Sequence, residues 1–170
     1  VTNHYIDLKI KSSKISDIAN TMSSCFKKFN KFFNNLCPDK VIVVGDRFET
    51  YIAVVVARLN NLNIYHFHGG ETTTGAYDNY WRHSISIMSD YHFVANDSYG
   101  KRVAQLLNSK KRIFNIGGLG VDNIKNIKFE SRNKLENKYG FKFNKYNIVI
   151  VYHSLTTSPK NNKQDFIKII

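Results

Sequence analysis

The sequence predicts an α/β fold, a Rossmann-like, doubly wound parallel sheet. Three observations carry that expectation. Short β-branched runs alternate with segments of helical periodicity through most of the chain. The runs are unbroken rather than alternating, as in KVIVV at 40–44, which suits a parallel sheet covered on both faces. Polar, glycine-containing turns follow them: GDRFE, HGGETTTGAYD and GGLGVDN. In open parallel sheets, ligands bind beyond the carboxyl ends of the strands, where these turns fall.

Taken in order, Ser12 or Ser13 is placed to cap a helix. Ile15, Ile18, Ala19, Met22, Phe26, Phe29 and Phe33 recur along it at helical spacing, and Pro38 and Asp39 stop it. Residues 40–44 read as a strand, GDRFET as a turn, and 51–59 as an apolar helix running into NNLN. The next strand is 64–68 and the next helix 78–88. Residues 91–95 read as a strand, Asn96 or Ser98 as the cap of a helix to Leu107, and 112–116 as another strand. A polar stretch follows, with a short helix around 132–139. Then YNIVIVYH at 146–153 reads as a buried strand opening a second unit, with a helix over 161–170. The expected division is 1–124 for the first domain, 125–145 for the connection and 146–170 for the start of the second.

The chain has 170 residues and a formal charge of +12. That charge invites a nucleic-acid reading. The lysines are instead scattered among asparagines, a bias expected of an AT-rich genome, and no basic dimer helix or aromatic RNA-binding sheet is visible. No nucleic-acid partner is expected, whereas a basic surface would steer an anionic small substrate. No apolar run approaches the roughly 20 residues that span a bilayer, so no membrane partner is expected. Neither signal-peptide pattern nor metal-ligand spacing is present, and Cys25 and Cys37 make no disulfide framework, which points to a reducing cytoplasm. The chain starts without Met and reads as a piece of a longer protein.

Several side chains are candidates for chemistry. Asp46 follows a strand directly, either facing a ligand or capping the next helix. His66 and His68 alternate on one strand and should point the same way. They would suit a metal only with a third ligand, which no useful spacing supplies. Alternatively, one bonds within the sheet edge and the other lines a polar cleft. Glu71 sits on the loop that follows, with Asp78, Arg82 and His83 on the next helix. Carboxylates crowded in a partly desolvated cleft raise one proton affinity, which provides an acid and a base near neutral pH. Gly118, in GGLG, would let backbone approach a phosphate or serve as a linker, and matches neither a P-loop nor a dinucleotide fingerprint. His153 ends the last apolar run.

GDRFE, HFHGGETTTGAYD, RHSISIMSDYHFVAN, KRV and NIGGLGVDNI together resemble the hydrolysing UDP-N-acetylglucosamine 2-epimerases of sialic and legionaminic acid synthesis. Order and spacing match over 41–124, and IVIVYHSLTT is similar to the family's strand ending in His-Pro. The resemblance implies a glycosyltransferase-B-type fold of two Rossmann-like domains, with a UDP-sugar in the cleft. It implies abstraction of the C2 proton, loss of UDP and hydration of a glycal, with neither nicotinamide nor metal. It also implies a homodimer or homotetramer. Asp46, Asp78 and His153 match catalytic positions, Asp78 being the leading base. Some relatives carry a glutamate where this chain has His68, so proton transfer falls to His68 or to Glu71. Arg47, His66, His83 and Gly118, with His68, fall to substrate binding.

Thr74, Ile87, Leu107, Asn108 and Ser154 depart from the family pattern without removing a proposed catalytic group. The family's first strand belongs before Val1 and most of its UDP-binding domain after Ile170, so these 170 residues by themselves are expected to be inactive. The alternatives are a nucleotide-sugar-binding or glycosyltransferase-like protein without C2 chemistry, and an inactive remnant.

Overall fold

The computed structural model describes residues 3–9, 15–153 and 162–169. They divide into two units, Val1–Gly118 and Leu119–Ile170. The first unit holds α1 (Ile15–Leu36), β1 (Lys40–Val44), α2 (Phe48–Leu59), β2 (Asn63–Phe67), α3 (Asp78–Met88), β3 (Tyr91–Val94), α4 (Asp97–Leu107) and β4 (Ile113–Asn115). The expected caps Ser12 and Ser13 lie outside the described residues.

The four strands form one parallel sheet in the order β1-β2-β3-β4. Each crossover advances in the same direction, and right-handed crossovers then put their helices on one face. Accordingly α2 packs on α3, and α3 on α4, while α1 packs on α2. The covered face holds Val43, Ile64, His66, His92 and Val94, all buried. With Cys25 and Phe33 of α1, Ile52, Val54, Val56 and Ala57 of α2, and Ile85 of α3, Val43 and Ile64 make the core. These residues recur at helical spacing on α1 and α2, so burying them ties both helices to the sheet.

The opposite face differs from the expectation of double cover. Ile42 and Val44 are exposed, and a ladder of stacked rings joins Tyr65 to Tyr91 and Phe67 to Phe93, each pair at 4.5 Å. The described strands are one winding of such a sheet, with helices on a single side. Sheet residues facing that side are buried, and their neighbours are not, because strand side chains alternate.

The second unit holds α5 (Leu119–Asn126), α6 (Arg132–Tyr139) and α7 (Asn162–Ile169). Ser131 caps α6 by accepting from the Lys134 N–H, and Gly140 ends it at φ +70°. The expected strand at 146–153 is absent: the segment has no ladder, and Ile148 and Val149 are 86% and 87% exposed. An apolar run becomes a strand only when neighbours take up its backbone groups and one face, and no described residue does so here. Residues 119–126, read from the sequence as part of a loop, are helical. Among the described residues, no helix is long and apolar enough to cross a membrane.

Candidate active site

The site is assembled where β1 and β2 end. Gly45 leaves β1 at φ +86°, a conformation that favours glycine, and its N–H donates to the Phe67 carbonyl. Asp46 follows. It does not cap α2: the N-cap position is Arg47, whose side chain makes no capping bond. Asp46 instead accepts a hydrogen bond from the Arg82 guanidinium on α3. A charged partner 36 residues away outweighs the local cap.

His66 is fully buried on β2. Its Nε2 lies 3.0 Å from the Gly45 carbonyl and its Nδ1 3.2 Å from Ser86 Oγ. A carbonyl only accepts, so Nε2 carries a hydrogen. Burial lowers the ring's pKa from 6.5 to about 4, which keeps it neutral at neutral pH. Where substrate contact was expected of it, His66 is sealed from water in this structure and braces the Gly45 turn.

The expectation that His66 and His68 share a face is corrected too. β2 ends at Phe67, and His68 has left-handed backbone at φ +64°, which breaks the strand alternation. Its N–H still donates to the Phe93 carbonyl at 2.9 Å. Its ring meets Glu71, with Nδ1 2.7 Å from Oε1. The glycines between them are set by close approach. A Cβ on Gly69 would stand 2.9 Å from Ser86 Oγ, and one on Gly70 2.3 Å from the Tyr99 carbonyl oxygen.

Arg82 connects these pieces. Its side chain is 9% exposed, bonds Asp46 through one terminal nitrogen and holds the other 3.9 Å from Glu71 Oε2. Nε and that second terminal nitrogen are buried without hydrogen-bond partners. Asp78, the first residue of α3, takes no part in these ion pairs. Partial burial raises its pKa first, and the neighbouring Asp46 charge adds to the rise, against Arg47 and Arg82. Asn79 fastens the preceding loop to this helix: its Oδ1 accepts from the Thr73 N–H at 2.8 Å, and its amide donates to the Thr73 and Ala76 carbonyls.

The structure thus gathers Asp46, His68, Glu71, Asp78 and Arg82 at one edge. The other expected site residues are placed differently. Arg47 is exposed and pairs with Glu49. His83 has a buried Nδ1 without a hydrogen-bond partner, and its pKa is lowered by burial and then by Arg102 and Arg82. Gly118 lies just before α5, and His153 is exposed in the second unit. Among the described residues, no group of three His, Cys, Asp or Glu side chains is placed to hold a metal ion. The roles of Arg82, Ser86 and Asn79 are not evident from the sequence alone. For Arg82 and Ser86 the signal is spacing: with Asp78 they recur every fourth residue along α3.

Residues 2–170 match the family model described as UDP-N-acetylglucosamine 2-epimerase. The chain belongs to the UDP-N-acetylglucosamine 2-epimerase family. It is 37% identical to a polysialic acid biosynthesis protein of Escherichia coli, over 94% of this chain and 41% of that protein. It is 41% identical to the hydrolysing GDP/UDP-N,N'-diacetylbacillosamine 2-epimerase of Campylobacter jejuni, over 89% of this chain and 39% of that one. Its backbone is similar to that of the Methanocaldococcus jannaschii UDP-GlcNAc 2-epimerase solved with UDP-GlcNAc and UDP. There the TM-score is 0.68 at 19% identity, over 81% of this chain and 39% of that one. This likeness establishes the fold, α/β of the glycosyltransferase-B type. The chain spans about two fifths of the length of these relatives. The segments that carry the 2-epimerase resemblance, GDR, HGGE and the Arg-His pair of α3, are those whose side chains meet in the ion-pair set.

Proposed function

We propose that the protein at its full natural length is a hydrolysing UDP-sugar 2-epimerase. It converts UDP-N-acetylglucosamine, or a related UDP-sugar, to UDP and the C2-inverted free sugar. One observation carries the reading. Two carboxylates at the same strand-end edge have contrasting environments: Asp46 is bound to Arg82, and Asp78, partly desolvated beside that charge, holds its proton more tightly. A carboxylate whose proton affinity is raised by partial burial suits acid–base chemistry near neutral pH.

In the proposed mechanism Asp78 removes the C2 proton. The C–H electron pair becomes a C1–C2 double bond as the C1–O bond breaks and UDP leaves with its negative charge. Water then adds, its oxygen to C1 and a proton to C2 from the opposite face. Arg47, His68, His83 and Gly118 are assigned to substrate contact, and His153 to a catalytic role. That assignment treats 1–124 as the first domain, 125–145 as its connection and 146–170 as the start of a UDP-binding domain. A net charge of +12 favours an anionic substrate. A homodimer or homotetramer in a reducing cytoplasm completes the proposal.

The test is turnover of UDP-N-acetylglucosamine by the full-length protein in deuterated water. Release of UDP with deuterium at C2 of the sugar is the expected result. Release of UDP without C2 exchange would overturn the reading in favour of a transferase-like or simple hydrolytic activity. Asp78→Asn should lower C2 exchange by at least a thousandfold; an unchanged rate removes Asp78 as the base.

A further inference from the structure

We infer that His68 and Glu71 form a proton-transfer dyad in which His68 Nε2 exchanges the proton and Glu71, backed by Arg82, is a positioning residue. The inference rests on the epimerase reading and assigns its second proton carrier. Inversion at C2 takes a proton from one face and returns one to the other, so Asp78 alone does not account for both.

The geometry singles out His68. A carboxylate oxygen only accepts, so the 2.7 Å contact with Glu71 Oε1 puts the hydrogen on Nδ1 and makes Nε2 the working nitrogen. Glu71 is itself occupied: Oε1 faces the ring and Oε2 faces the buried Arg82 guanidinium at 3.9 Å. A carboxylate bonded to the ring through one oxygen and held by a buried cation near the other is suited to hold a ring, not to carry a proton to substrate. His68 is also the residue with φ +64° at the end of β2, side chain 24% exposed. Non-glycine residues held in that region cluster at functional sites. The contrast with His66, two residues earlier, is direct: that ring is sealed from water, with both nitrogens engaged.

Protonated His68 gives its Nε2 proton to C2 of the glycal. As the water oxygen bonds to C1, the neutral ring takes back the proton that water loses. Glu71 on Nδ1 supports the transient positive charge, and Asp78 returns its own proton to solvent after UDP departs.

Two measurements test the dyad. In the full-length protein, His68→Gln should cut C2 exchange at least a hundredfold. His68→Glu, which substitutes another proton carrier, should recover at least a tenth of the original rate. Circular dichroism shows whether each variant is folded. Wild-type exchange in folded His68→Gln overturns the dyad alone; absence of C2 exchange in the wild type overturns the epimerase reading. Independently of turnover, ¹⁵N-resolved NMR of the His68 ring should show Nδ1–H when the ring is neutral. In Glu71→Gln, Arg82 attracts the amide oxygen and turns the NH₂ group toward the ring, so the hydrogen should move to Nε2. An unchanged tautomer in Glu71→Gln overturns the positioning role.

Discussion

His66 and His68 stand two residues apart and are held in opposite ways. His66 lies within β2 against the helix-covered face, neutral, with both nitrogens engaged by Gly45 and Ser86. His68 lies one residue past the strand on left-handed backbone, partly open to water and bonded to a carboxylate. The side chains are chemically identical. What separates them is where the ladder stops. Inside it, alternation drives the ring into the core, where only the neutral form is tolerated. Past it, one unusual φ brings the ring to Glu71. Scaffold and chemistry are thus neighbours in sequence, and the scaffold histidine steadies the turn that presents Asp46.

The largest effect expected is at the glycine joining the two environments to α4. Gly70→Val should cost more than about 4 kcal/mol, because its Cβ would meet the Tyr99 carbonyl oxygen at 2.3 Å on backbone at φ +79°. Loss of a cooperative urea transition checks this, and a stable variant would show that the HGGE turn is looser than described.

The next effect is acid-dependent and falls on the scaffold histidine. His66 has its folded pKa lowered from 6.5 to about 4, so the unfolded chain takes up the proton first as pH falls. Its contribution is fully present above about pH 6.5 and is lost as pH falls through about 4. That linkage amounts to about 3 kcal/mol at pH 4. His92, also lowered to about 4, acts in the same direction. Urea midpoints measured between pH 7 and pH 4 should fall, and His66→Gln should flatten the curve.

At neutral pH, His66→Leu should destabilise by about 2 kcal/mol, since it leaves the Gly45 carbonyl without its imidazole donor. The same change at His68 should cost less than about 1 kcal/mol. Equal costs would erase the distinction between scaffold and site. The smallest effect belongs to Arg47, whose pair with Glu49 is at the surface. Arg47→Ala should move the midpoint by less than about 0.5 kcal/mol; a larger loss would make Arg47 part of the scaffold.

Local periodicity made much of this legible. α3 runs over 78–88 as its pattern requires, and Asn96 caps α4 by accepting from the Tyr99 N–H. The ion-pair set was less legible. Asp46, Glu71 and Arg82 lie on three segments up to 36 residues apart, and charge complementarity at that distance leaves no periodic trace. Two runs show the same limit for strands. KVIVV pairs with β2, whereas the equally β-branched run at 148–151 pairs with nothing described.

The α/β alternation, the strand-end position of the polar turns and the identity of the carboxylates and histidines there are already legible along the chain. Those follow from side-chain period, backbone preference and chemical type, all local properties. Packing makes His66 scaffold, brings His68 to Glu71, and ties Asp46 to Arg82 and not to the cap of α2. Each of those depends on which groups are deprived of water and which charges are brought within a few ångströms. Both are properties of the packed chain.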